Sequence, residues 1–191
     1  MRRLRLQLLF LFTLAGVALP QTAVNKYTPS LRFSCVDTPF LSINVSAPHH
    51  DSFVNVELGL VDPKGRTAGA NSADSIPRSR YGRIVEVPSH PDMSKAIAVE
   101  ICDAIQGKYV ISVSEHGNFD YRLTVAGDDG TGSDQGNESQ PVNLRSDGDR
   151  LCQFSFNLRT AKGKVAIEWL DKGGHSLAVG KFPSCEVIPR T

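Results

Sequence analysis

Residues 108–126 read KYVISVSEHGNFDYRLTVA, and this stretch decides the class of the fold. Phe119, Tyr121, Leu123 and Val125 point one way while Asp120, Arg122 and Thr124 point the other, the period-two signature of a half-buried strand. Lys108 to Ser114 and Phe119 to Ala126 are therefore expected to form a hairpin across a Glu115-His116-Gly117-Asn118 turn.

The same alternation extends in both directions. Toward the N-terminus, Ile97, Val99 and Ile101 share a face just before Cys102, and order is also expected at Ile84-Val85-Glu86-Val87. Further back, Val54, Val56, Leu58 and Leu60 form one row, Leu41, Ile43 and Val45 another, and Leu31, Phe33 and Cys35 a third. Asp62-Pro63-Lys64-Gly65 carries proline at the second and glycine at the fourth turn position, which fits a type I reversal. From Arg66 to Arg83 the pattern dissolves into small, polar and basic residues, so a long loop is expected there.

Toward the C-terminus, residues 127–139 read GDDGTGSDQGNES, a flexible linker or exposed loop by composition. Alternation then resumes with Cys152, Phe154, Phe156 and Leu158, and with Val165, Ile167 and Trp169 after a Lys162-Gly163 turn. A Gly173-Gly174 turn leads to Leu177 and Val179. No stretch carries apolar residues at helical spacing well enough to match its strand reading. The expected fold is an all-β antiparallel β-sandwich, Ig-like or jelly-roll-like. Residues 25–126 are assigned to the sandwich, 127–141 to the linker and 142–191 to a smaller C-terminal β unit. That unit packs beside or into the sandwich, and one shared sandwich is the alternative.

Arg2, Arg3 and Arg5 precede an apolar run from Leu6 to Leu19, which is expected to act as a signal peptide with cleavage near Ala18. The run is shorter than the ~20 apolar residues of a membrane span, so no stable insertion is expected after cleavage. Removal would leave about 170 residues, within the usual ~100–200 of one domain. The formal charge is +1, from which the three leader arginines subtract to leave −2. Neither nucleic acid nor an anionic membrane is an expected partner, since both call for a clustered basic surface.

Four cysteines, Cys35, Cys102, Cys152 and Cys185, all follow the leader. An even count in an exported chain points to two disulfides, with three pairings open. Cys35 with Cys102 and Cys152 with Cys185 is preferred, because each bridge then closes one of the two segments. Chain entropy gives ~4 kcal/mol for each loop of this length. With no C-x-x-C or C-x-x-H pair present, structural zinc is not expected.

Two fragments carry a likeness. VDPKGRTAG, followed by SIPRSRY and EICDAIQGKYVISVSEHGNFDYRLTV, resembles β-sandwich segments of bacterial secreted proteins. Gly107, Tyr109 and Val113, with Tyr121, Leu123 and Val125, resemble the paired G-x-Y-x-x-x-V and Y-x-L-x-V strands of bacterial pre-peptidase C-terminal domains. The likeness covers Leu31 to Ala126. It implies a module without catalytic residues of its own, of a kind appended to secreted hydrolases or surface proteins.

Candidate sites are sparse. Asp128, Asp129 and Asp134 offer carboxylates that calcium would accept from a flexible turn, but a solvated linker is the preferred reading and no cofactor is expected. His49-His50-Asp51, and His90 with Asp92, lie in expected loops and are assigned as unliganded. Arg66, Arg78, Arg80 and Arg83, with Tyr81 among them, form the best binding candidate, since Arg and Tyr dominate interface hot spots. A solvated loop whose arginines pair with nearby carboxylates is nevertheless the preferred reading. Asn44-Val45-Ser46 and Asn137-Glu138-Ser139 fit the glycosylation pattern. No G-x-S-x-G elbow or H-E-x-x-H helix occurs. The expectation is a secreted or periplasmic, non-catalytic protein that binds another protein or a surface polymer through its loops. A calcium-assisted carbohydrate-binding module and a small secreted hydrolase are the alternatives.

Overall fold

The computed structural model describes residues 35, 38–46, 56–70, 75–85, 95–130, 137–139, 141–161 and 164–188. Within them the strands are β1 (Phe40–Ser46), β2 (Val56–Val61), β3 (Thr67–Gly69), β4 (Ser79–Val85), β5 (Lys95–Cys102) and β6 (Gly107–Glu115). They continue with β7 (Asn118–Asp128), β8 (Asn137–Glu138), β9 (Val142–Asp147), β10 (Arg150–Ala161), β11 (Lys164–Leu170) and β12 (Glu186–Ile188). Two six-stranded antiparallel sheets result. The first runs β4-β5-β1-β7-β8, with β9 also on β7; the second runs β11-β10-β6-β2-β3, with β12 also on β10. Leu31, Phe33, Val54, Glu86 and Val87 lie outside the described residues.

The alternating rows do face the core. Leu41, Ile43, Val45, Ile97, Val99, Ile101, Leu123 and Val125 of the first sheet are at most 1 % exposed. They meet Leu58, Leu60, Ile111, Val113, Phe154 and Leu158 of the second. Burial of each such side chain is worth ~1.5–3 kcal/mol. Tyr109 and Phe156 stack at 5.2 Å between centroids, and Trp169 meets Phe156 edge-on at 5.8 Å.

The expected hairpin is not formed. β6 bonds to β10 and β2, whereas β7 bonds to β1, β8 and β9. The chain between them is an arch that crosses from one sheet to the other. A period-two pattern is equally satisfied by both arrangements, because an arch turns the two apolar rows toward each other across the core instead of setting them side by side. The corner is locked from outside its own strands: the Gly117 carbonyl accepts from Gly148 N at 3.1 Å and from Ser146 Oγ at 2.6 Å. Gly117 itself takes φ +102°, a region that favours glycine.

The 142–191 segment does not stand apart as a smaller unit. β9 pairs with β7, and β10 pairs with β6 over the register from Arg150 opposite Glu115 to Leu158 opposite Gly107. One shared sandwich is therefore the observed arrangement. The bridges remain Cys35–Cys102 and Cys152–Cys185 all the same.

The expected 66–83 loop contains β3 and the start of β4. Its small residues disguised it, since Thr67-Ala68-Gly69 has no large apolar side chain to alternate. Backbone fit replaces side-chain bulk here: a Cβ on Gly69 would lie 2.3 Å from the Leu58 carbonyl oxygen. Ser75 Oγ accepts from Thr67 N at 2.7 Å, and Ile76, at 4 % exposed, plugs the core. The Asp62–Gly65 turn is present, with Gly65 N donating to Asp62 O at 2.9 Å. Leu177 and Val179 form no strand; instead β12 appears at 186–188. Gly127 and Asp128, expected in the linker, extend β7, and Asn137 and Glu138 form β8.

Tyr109 closes the end of the sandwich opposite the arch. Its hydroxyl donates to Ile105 O at 2.8 Å and accepts from Ile105 N at 3.0 Å, the arrangement of a tyrosine corner. Burial is the main reason its phenol is pushed up to about 12. An unfolded chain releases that proton near pH ~10, so the stability it represents is whole below pH ~10 and lost as pH climbs to about 12. Tyr109→Phe is expected to lessen the alkaline loss of stability between about pH 10 and about pH 12. Urea midpoints measure this, and an unchanged loss contradicts it.

Candidate functional site

Ion pairing and strand alternation spread the arginines of the 66–83 segment apart. Arg66 follows the β2–β3 turn and places its Nη2 2.6 Å from Asp62 Oδ2. The Asp62 side chain is 1 % exposed and also accepts the backbone amides of Lys64 and Arg66 through Oδ1. Arg78 sits at φ +53° before β4 and bonds Asp103 Oδ2 at 3.0 Å, both side chains being about half exposed. Arg80 stands opposite Glu100 in the β4–β5 register. Burial raises the Glu100 carboxyl, and the Arg80 charge works against that rise. Tyr81 takes the other face of β4 and packs against the core. Arg83 lies in β4 opposite Ile97. Arg66 therefore belongs to a turn of the second sheet, and Arg78 and Arg80 to an edge of the first.

Asp128 ends β7 and accepts the Gly130 amide at 2.6 Å, an Asx turn that occupies one of its oxygens. Asp134 lies outside the described residues, as do His49, His50, Asp51, His90 and Asp92. Among the described residues no group of three His, Cys, Asp or Glu side chains is placed to hold a metal ion. Asn44 lies mid-strand in β1 and donates from Nδ2 to Ser42 Oγ at 3.0 Å; Asn137 begins β8.

Two features went unread in the sequence. The first is a buried charge at the arch. Glu115, 0 % exposed, accepts hydrogen bonds from the Tyr121 hydroxyl and from Arg150 Nε. Arg150 also bonds the Arg145 carbonyl and lies 3.8 Å from Asp147. Its hydrogen bond to Glu115 holds the guanidinium above its ordinary value, and burial pushes the Tyr121 phenol up. The signal was available: Tyr109, Ile111, Val113 and Glu115 occupy alternate positions, so Glu115 falls on the core row and not in a turn.

The second feature is a C-terminal excursion. After β11 the chain turns at Asp171, whose backbone carbonyl accepts from Gly174 N at 3.0 Å and whose Oδ1 accepts the His175 amide at 2.9 Å. That amide bond is the chief reason the Asp171 carboxyl sits below its ordinary value. Leu177 N donates to Trp169 O at 2.8 Å and Lys181 N to Ala178 O at 2.9 Å. Cys185 then returns the chain to β10 through Cys152. Between this excursion and the outward side of β10 lies a cleft of ≈ 300 Å³, lined among others by Gln153, Ser155, Asp171, Leu177 and Phe182. A second cleft of ≈ 330 Å³ lies on the same outward face, over Gly59, Ser112 and Ser114 and against Leu151. Val179, Phe182 and Val187, at 103 %, 49 % and 58 % exposed, are the large apolar side chains that the described residues leave in solvent.

Comparison with known proteins finds no matching family model, curated protein or solved structure. The site must therefore be read from its own chemistry. Two disulfides indicate an oxidising environment, and among the described residues no helix is long and apolar enough to cross a membrane.

The two kinds of ion pair differ in weight. Removal of one partner from a buried pair costs ~3–5 kcal/mol, whereas exposed pairs are worth ~0–1 kcal/mol. Glu115→Ala is expected to lower the unfolding free energy by about 3 kcal/mol, and Arg78→Ala by less than about 1 kcal/mol. Denaturant melts measure both, and equal effects contradict this reading.

Proposed function

We propose that this chain is a non-catalytic binding module, secreted or periplasmic, that contacts another protein or a surface polymer through the 171–188 segment and the cleft beside it. The observation that carries this reading is the confinement of Val179, Phe182 and Val187 to that one segment. Large apolar side chains left in solvent along one disulfide-anchored segment are the kind of surface a partner covers.

The anchoring supports it further. Backbone bonds at Asp171, Leu177 and Lys181, with the Cys152–Cys185 bridge, tie the excursion at both ends. A loop ordered before it binds loses less entropy on binding. The arginines support the reading less well, because Arg66 and Arg78 each already hold a carboxylate. The two disulfides fit work outside the cytoplasm. The likeness to pre-peptidase C-terminal segments fits a non-catalytic role and belongs to the same proposal.

A photo-crosslinking side chain placed at Val179 or Phe182 of the exported protein tests the assignment, with Lys108 on the exposed second-sheet surface as control. Discrete adducts from the first two positions and none from Lys108 are expected. Equal labelling from all three positions, or none from Val179 and Phe182, overturns the assignment.

A further inference from the structure

Glu115 has a neighbour besides Tyr121 and Arg150: its Oε1 lies 3.2 Å from the Sγ of Cys152. A fully buried, ion-paired carboxylate is thus set against one sulfur of the Cys152–Cys185 bridge. We infer that Glu115 guards this disulfide, by placing negative charge where the leaving sulfur of thiol exchange would have to carry its own.

The two sulfurs differ in access. Cys152 is 0 % exposed, so an incoming thiolate has no path to it, while Cys185 is partly exposed. A small dithiol must then attack Cys185. A bond forms between its sulfur and Cys185 Sγ, the Cys152–Cys185 bond breaks, and the electron pair leaves on Cys152 Sγ as a thiolate. The second thiol of the reagent then displaces Cys185, so the reagent is oxidised to its cyclic disulfide and both cysteines are reduced.

The first step is the one Glu115 opposes. Exchange slows as the leaving thiol becomes more basic, and a like charge close by in a buried site makes it so. The Cys152 thiolate would form 3.2 Å from the Glu115 carboxylate. Arg150 tempers this repulsion without removing it, because its Nε bonds the far oxygen, Oε2, while Oε1 is the oxygen set against the sulfur. The bridge that ties down the excursion is therefore shielded by charge as well as by burial. The inference concerns the bridge alone and does not depend on what the excursion binds.

Reduction of the native full-length chain by dithiothreitol, followed by alkylation and peptide mapping of each bridge, tests it. Glu115→Gln is expected to speed loss of Cys152–Cys185 about tenfold and to leave the rate for Cys35–Cys102 unchanged. Tyr121→Phe loosens the same cluster but keeps the charge, and is expected to give no acceleration. A Glu115→Gln rate within about twofold of the unsubstituted chain overturns the inference. So does equal acceleration of both bridges, or an equal gain in Tyr121→Phe, since either reports general loosening. Glutathione trapping on the unsubstituted chain tests the route of attack on which the inference depends: the mixed disulfide is expected on Cys185, and an adduct on Cys152 overturns it.

Discussion

At the arch between β6 and β7 a carboxylate is taken out of water and held by groups from two other strands. Glu115 ends β6, Tyr121 reaches it from β7 in the opposite sheet, and Arg150 reaches it from the start of β10. Desolvation of such a charge costs several kcal/mol unless its oxygens are satisfied. That condition is met only when β6, β7 and β10 stand in their observed places. The pairing of β6 with β10 follows from it, since Arg150 lies directly opposite Glu115. So does the seating of the β9–β10 turn, whose Ser146 and Gly148 hold the arch at Gly117. The cluster costs energy in isolation and gains its value as a device that fixes which strands are neighbours.

Much of the architecture was legible in the sequence, for a simple reason. A sandwich buries one face of every strand, and Leu41, Ile43 and Val45, or Cys152, Phe154, Phe156 and Leu158, record that burial as a period of two. Alternation reports a face and not a partner. Hence β6 and β7 were expected side by side although they lie in different sheets, and 142–191 was expected as a smaller unit beside or within the sandwich, whereas its strands enter both sheets. β3 escaped notice because it is held by close backbone approach at Gly69 and by Ser75, which leave no apolar rhythm. The disulfides were legible because segment closure favoured the pairing that is found.

The candidate site was less legible. Arginine near tyrosine suggested a contact surface, but alternation along β4 sends Arg80 and Tyr81 to opposite faces, and Asp62 and Asp103 take up Arg66 and Arg78. Phe182 stands alone between Lys181 and Pro183, and Leu177 with Val179 imitates a strand. Nothing in that spacing announces an apolar surface. What reveals it is tertiary: the bridge to Cys152 and the bonds at Asp171 and Trp169 seat Leu177 and Cys185 against the core and leave Val179 and Phe182 in solvent.

Strand neighbours in solution distinguish the arch from a hairpin. Nuclear Overhauser spectra of the folded protein are predicted to place Ile111 beside Phe154 and Ile43 beside Val125, the partners seen across β6–β10 and β1–β7. Contacts that instead set Ser114 beside Phe119 and Ser112 beside Tyr121 would mean a hairpin, and would contradict the account.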